Sequence, residues 1–174
     1  FPADRRFETD VMFGGDLVGE QRFLRLKSGP RKYRGLQRFV RDIVLGRETS
    51  RQEALTKLFG ELANGVRYGG LTSTGQPEFI QPNGEHVAWE ALSASALHAF
   101  VFAATMVMLR TRNSVVLVDT PELALGPGEA ARRLGVLRAY EPSNQWLVAS
   151  SDPDVIAMAK GAGIQLDGFK VTRS

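Results

Sequence analysis

VVLVDTPELALGP, Val115 to Pro127, is the stretch on which the fold turns. Four apolar residues run into Asp119. Thr120 follows, Pro121 constrains the turn, Glu122 adds a second acid three positions on, and Pro127 stops the pattern. Unbroken apolar runs of this length are what the middle of a parallel sheet requires, where helices cover both faces. The rest of the last third alternates in the way such a sheet is built. We expect a strand at Ser114–Asp119, a helix at Glu129–Tyr140, a strand at Gln145–Ser150, a helix at Asp154–Gly161 and a terminal strand near Phe169–Thr172.

Upstream of this stretch, Leu92 to Arg112 is rich in Ala, Leu, Met and Phe with apolar groups nearly all round, so the spacing predicts a buried helix. Phe102, Met106 and Met108 read as its core filling, and His98 as a hydrogen-bonded core histidine. Trp146 reads as core, and Trp89 as a residue exposed at an interface. Between Val66 and Trp89 the period shortens, and the turn signals STGQP and PNGE suggest a small antiparallel ribbon. Further back, Leu36, Phe39, Val40, Ile43 and Val44 follow helical spacing, as do Ala54, Leu55, Leu58, Phe59 and Leu62, with Ser50 and Glu53 placed as a capping box. The first 32 residues are irregular and begin on an apolar Phe1. We expect one α/β domain over 1–174: an irregular segment (1–32), a helical arm (33–64), and a ribbon, long helix and sheet (65–174).

Composition narrows the chemistry. The chain has 174 residues, 43% of them apolar and 24% charged, an ordinary balance for a globular domain. With no cysteine it can form no disulfide, thiolate metal site or cysteine nucleophile. His86 and His98, the two histidines, lack the neighbours of a metal site or a serine-hydrolase constellation. No secretory leader pattern is apparent and no apolar run reaches the roughly 20 residues of a membrane span, so the expected location is cytoplasmic. The net charge of +3 is modest, but basic residues cluster. Arg22, Arg25, Lys27, Arg31, Lys32, Arg34, Arg38 and Arg41, interleaved with Phe23, Tyr33 and Phe39, form either a phosphate-contacting face for nucleic acid or a solvated helical face.

In open parallel sheets, functional groups gather beyond the carboxyl ends of the strands, where Asp119, Ser150 and Ser151 are expected. An aspartate at a strand tip either caps the next turn or holds a magnesium-bound water beside a phosphate. The segments ALSASALHAFVFAATMVMLRTRNSVVLVDTPELALGP and NQWLVASSDPDVIA resemble the C-terminal lobe of an ABC-type ATPase of the SMC, RecF and OLD-like branch. That family carries a Leu-Ser-x-Gly-Glu/Gln signature, a Walker B strand followed by Glu-Pro-Glu-Leu, and a next strand ending in Thr-His-Ser-Pro. The resemblance implies a P-loop NTPase-like α/β fold, ATP and magnesium as cofactors, a homodimer or larger assembly as the working state, and a DNA-associated or defence setting.

Carried over position by position, the resemblance implies that Ser93 and Ser95 bind nucleotide and that Asp119 holds magnesium through water. It also exposes departures. Ser95 stands where the signature has glycine, and Ala96 where it has an acid or amide. Thr120 occupies the position of the catalytic glutamate, and a threonine hydroxyl takes no proton from water near neutral pH. Ser151 replaces the switch histidine, Gly126 replaces another histidine, and Asp152 adds negative charge beside them. No Gly-x-x-x-x-Gly-Lys-Ser/Thr occurs. The expectation is therefore a degenerate ATPase module, either a lobe whose Walker A lies outside this sequence or a divergent protein without hydrolysis. The alternative is a nucleic-acid-binding or protein-interaction module that kept the fold.

Overall fold

The computed structural model describes Phe1, Tyr33 and residues 35–159. Its first elements are helices α1 (Leu36–Leu45) and α2 (Thr49–Leu62). In α1 the buried residues Leu36, Phe39, Val40 and Ile43 repeat at helical spacing, and Leu55, Leu58, Phe59 and Leu62 do the same in α2. The helices meet through Gln52, whose amide donates to the Ile43 carbonyl at 2.9 Å. The expected Ser50–Glu53 capping box does not form. The amides of Arg51 and Gln52 already bond the Glu48 carbonyl (3.0 and 3.1 Å), so α2 begins earlier and Ser50 lies inside its first turn.

The ribbon is a three-stranded antiparallel sheet of β1 (Arg67–Leu71), β2 (Pro77–Ile80) and β3 (His86–Ala88), in that order. Its two turns pass through Gly75 and Gly84, at φ of 78° and 85°, a conformation glycine adopts without penalty. Phe79 on the central strand is fully buried, its ring 5.4 Å from Phe59, 5.1 Å from Phe100 and 6.0 Å from Tyr68. Trp89 opens a short 3-10 turn (Trp89–Ala91) and is buried, not exposed at an interface as its place at the ribbon's end suggested. The turn swings its indole into the core instead of leaving it on the strand.

Helix α3 (Ala94–Leu109) runs through the core. Every residue from Ala99 to Leu109 is buried, which is why its sequence is apolar on all sides. Ser93 caps it, accepting the Ala96 amide at 3.2 Å, and Arg110 ends it in the left-handed region. Beyond it, β4 (Val115–Asp119) and β5 (Gln145–Ala149) pair in parallel, with Asp119 opposite Ala149. Helices α4 (Glu129–Tyr140) and α5 (Pro153–Met158) follow the two strands. Phe1 lies along β4, accepting the Asp119 amide at 2.8 Å and stacking on Phe102. The expected terminal strand at 169–172 lies outside the described residues.

Among the described residues the strands form two separate sheets, the expected antiparallel ribbon, here of three strands, and a parallel pair. Among the described residues, helices cover β4 and β5 on one face only. Val116 and Val118 are buried, and Trp146, the register partner of Val116, packs against both the main core and the small cluster of Ala130, Leu134 and Val155. Helices α3, α4 and α5 thus lie on one face. On the other, Val115, Leu117 and Leu147 are 58%, 57% and 51% exposed. An apolar run looks the same whether one face or both is covered, because side-chain alternation leaves no mark when every residue is apolar.

A carboxylate fastens three helices together. Glu129, at the start of α4, accepts from Arg132 (2.7 and 2.8 Å) and from the buried Arg133 (2.7 Å). Arg132 continues to the carbonyls of Glu61 and Leu62 at the end of α2 (2.6 and 3.2 Å), where helical carbonyls lack partners. Arg133 continues to the Ser95 carbonyl and hydroxyl at the start of α3 (2.9 and 2.7 Å). The hydrogen bonds from Arg132 lead those from Arg133 and Asn64 in outweighing burial, and hold the Glu129 carboxyl at about 2.

Because the folded value lies below the ordinary 4.5, the contribution of Glu129 to stability is complete above that pH and is lost as pH falls toward 2. Glu129→Gln leaves Arg133 buried without a counter-charge. It is expected to cost about 3 kcal/mol at neutral pH and to flatten the acid limb of the stability curve, measured by urea unfolding from pH 7 to 2.

Candidate functional site

Parallel pairing brings the carboxyl ends of β4 and β5 side by side, with the Thr120 amide bonded to the Ala149 carbonyl at 2.9 Å. Asp119 is exposed at the tip of β4. Thr120 turns the chain there with φ of 50°, a left-handed conformation that costs a β-branched residue about 1–2 kcal/mol. Its hydroxyl donates to the Asp119 carboxylate at 3.1 Å. Two tight turns follow: Leu123 N–H to the Thr120 carbonyl (3.2 Å) and Leu125 N–H to the Glu122 carbonyl (3.0 Å), with Ala124 also at positive φ. Half-buried His98 places its Nδ1 3.2 Å from the Leu123 carbonyl, so α3 supports this loop.

Glu122 reaches across to the end of β5. Its Oε2 accepts the Ser150 hydroxyl at 2.7 Å, and its Oε1 accepts the Ser151 amide at 3.0 Å and the Ser151 hydroxyl at 3.1 Å. Burial pushes the Glu122 carboxyl up, but the amides of Ser151 and of Glu122 itself, with the two serine hydroxyls, outweigh it and leave the group below the usual carboxylate range. A carboxylate so held is a poor base at neutral pH. Asp152, expected to place negative charge near a phosphate, caps α5 instead: its Oδ1 accepts the amides of Asp154 (2.9 Å) and Val155 (3.0 Å).

Ser93 and Ser95 stand in the first turn of α3, one as its cap and the other beneath Arg133. The loop of Thr120 to Leu125 touches the same helix through His98. The side chains suit a nucleotide in one respect only. Asp119 presents an exposed carboxylate suited to a magnesium-bound water, whereas the Ser95 hydroxyl is engaged by Arg133 and the Ser151 hydroxyl by Glu122. Among the described residues no group of three His, Asp or Glu is placed to hold a metal ion. This set does not fit a complete phosphate cradle, and we derive no chemical step through ATP.

Of the basic cluster, Arg22, Arg25, Lys27, Arg31, Lys32 and Arg34 lie outside the described residues. Arg38 pairs with Asp42 at 3.4 Å, Arg41 is half-buried, and Arg51 sits over the Phe39 ring at 5.6 Å. Sequence reading overlooked the Glu129–Arg132–Arg133 clasp, although its i, i+3 and i, i+4 spacing is the sequence signal for such pairs. No described helix is long and apolar enough to cross a membrane.

The chain matches no protein-family model and no curated protein. Among solved structures it is similar to an SMC head bound to the C-terminal winged-helix domain of ScpA, with 14% identity over 67% of this chain and 38% of that one, at a TM-score of 0.51. An SMC head domain from Thermotoga maritima is 17% identical over 67% of this chain and 43% of that one, with a TM-score of 0.46. An Smc head with a coiled coil and joint from Pyrococcus yayanosii is 16% identical over 67% and 24%, with a TM-score of 0.48. The first likeness shows a fold like that of the SMC head, and the chain spans less than half the length of each of these structures.

Since Thr120 holds a conformation that asparagine tolerates better, Thr120→Asn is expected to raise stability by about 1 kcal/mol. Thr120→Val, which keeps the branching and loses the hydroxyl, is expected to lower it. Thermal and urea unfolding of the two variants beside the parent check both.

Proposed function

We propose that this chain is a degenerate lobe of an ABC-type ATPase module that hydrolyses no ATP by itself, and that it contributes a nucleotide-dependent or scaffolding role to a larger DNA-associated or defence assembly. The observation that carries this reading is the end of β4. Asp119 is presented as a nucleotide-handling strand would present it, while the next residue is a threonine whose hydroxyl is spent on that same aspartate. Nearby Glu122 offers no substitute base, because three hydrogen bonds hold it ionised and turned toward β5. In this reading Asp119 meets magnesium through water, and Ser93 and Ser95 mark the edge facing a second subunit's nucleotide. Ser95 reaches it only if Arg133 lets go.

A phosphate-release assay on the purified chain, with and without duplex DNA, is expected to show no turnover above about one per minute, far below the median enzyme. Faster turnover that disappears in Asp119→Ala would overturn the proposal.

The alternative, a nucleic-acid-binding module, finds Arg38 and Arg41 among the described residues. Binding through several such cations falls steeply with salt. Anisotropy of a labelled duplex between 50 and 300 mM salt, as a titration range chosen to expose that slope, separates the readings: a steep decline supports this one and a flat baseline removes it.

A further inference from the structure

The sequence holds two Asn-Gly pairs, Asn64–Gly65 and Asn83–Gly84, and the fold treats them differently. Asparagine is chemically labile. The backbone nitrogen that follows it can attack its side-chain amide carbon, and glycine, with no Cβ, lets that nitrogen come close. In the turn between β2 and β3 both reacting groups of Asn83–Gly84 are tied down. The Asn83 Oδ1 accepts the Glu85 amide at 3.0 Å, and the Gly84 amide donates to the Gln81 carbonyl at 2.9 Å. Between α2 and β1 the nucleophile is loose. Asn64 and Gly65 are both exposed, at φ of 47° and 90°, and the Gly65 amide donates to no carbonyl among the described residues. Even a Cβ placed on Gly65 would meet nothing closer than the Pro82 ring, at 3.4 Å. Asn64 also lies beside Glu129, where its side chain is one of the groups that hold that carboxyl low.

We propose that Asn64 is a site of spontaneous deamidation, and that the aspartate formed there loosens the clasp of Glu129. A bond forms between the Gly65 nitrogen and Cγ of Asn64, closing a succinimide ring. The Cγ–Nδ2 bond breaks, the Gly65 amide proton passes to solvent base, and the side-chain nitrogen takes up a proton and leaves as ammonia. Water then opens the ring at either carbonyl to give aspartate or isoaspartate, so water is the one co-reactant. Aspartate sets a second negative charge beside Glu129 in place of a neutral amide, and like charges side by side make each carboxylate harder to keep ionised. Isoaspartate brings the same charge and lengthens the backbone between α2 and β1. Arg132 joins Glu129 to the end of α2, and Arg133 joins it to Ser95 at the start of α3. A weaker Glu129 is therefore felt at both helices. The conversion runs one way and needs neither nucleotide nor nucleic acid.

The test ages the folded parent chain in mildly alkaline buffer, below its melting temperature. The tryptic peptide Leu58–Arg67 and the peptide holding Asn83 are then read by mass spectrometry, with aspartate and isoaspartate forms separated by chromatography. The same chain unfolded in urea gives the intrinsic rate of each pair. Folding is expected to slow Asn83 by about tenfold or more, on the scale of its two hydrogen bonds, and to leave Asn64 within about threefold of its unfolded rate. Asn64→Asp is expected to lower the melting temperature by about 2 °C or more. The loss should shrink in a Glu129→Gln background, where the opposing charge is gone. Asn64→Gln, whose longer side chain does not close this ring, is expected to keep its own melting temperature through ageing while that of the parent falls. Slowing of Asn64 as great as that of Asn83 overturns the site. Conversion with no fall in melting temperature, or an equal loss from Asn64→Asp in both backgrounds, overturns the link to Glu129. If Glu129→Gln does not fold, the melting temperature of the aged parent decides.

Discussion

Helix α3 has no face for solvent, and the rest of the molecule is arranged around that constraint. From Ala99 to Leu109 every side chain is buried, so each side of the helix needs its own cover. Helix α2 supplies one, through Phe59 against Phe100; β2 supplies another, through Phe79 against the same ring; β4 and Phe1 close a third, through Val116, Val118 and the Phe1–Phe102 contact. An antiparallel sheet and a parallel pair of strands can share one domain because both are walls of one helix's enclosure. Phe100 lies at the junction of these walls, where truncation of a packed aromatic costs about 3–5 kcal/mol.

The strand ends inherit their geometry from that enclosure. With α3 behind β4, and His98 supporting the following loop, the chain must turn sharply after Asp119, and Thr120 takes the strain of the turn. The same sharp turn carries Glu122 back toward β5, where it meets two serines. Strain at Thr120, the Asp119–Thr120 bond and the Glu122–serine contacts are thus consequences of one local path. This is why these features occur together at one corner. The clasp of Glu129 acts at the same N-terminal end of α3, joining it to α2 and α4.

The bare face of β4 and β5 shows the limits of the enclosure. Parallel strands are ordinarily covered on both sides, and Leu117 and Leu147, opposite each other in register, are open to solvent here. The described residues build one layer of helices over this small sheet, which leaves Val148 at its edge exposed, and no second one.

The sequence by itself determined the elements. The all-apolar stretch after Leu92 could only be an enclosed helix, the glycine turns at Gly75 and Gly84 could only close short antiparallel strands, and the run ending in Asp119 could only be a strand tip that presents an acid. These are local matters, set by side-chain period and backbone freedom within a few residues of each other. Tertiary structure alone decided the rest: that Trp89 turns inward, that Ser50 caps nothing, that β4 is covered on one face, that Ser95 lies under Arg133 and that Glu122 is held by Ser150 and Ser151. Apart from Ser50, displaced by the local start of α2 at Glu48, each of these depends on groups 28 or more positions apart or on where a helix comes to rest against a sheet. A carboxylate's partners are chosen by proximity in space, and the order of residues along the chain records that proximity only when both partners share one helix or one turn.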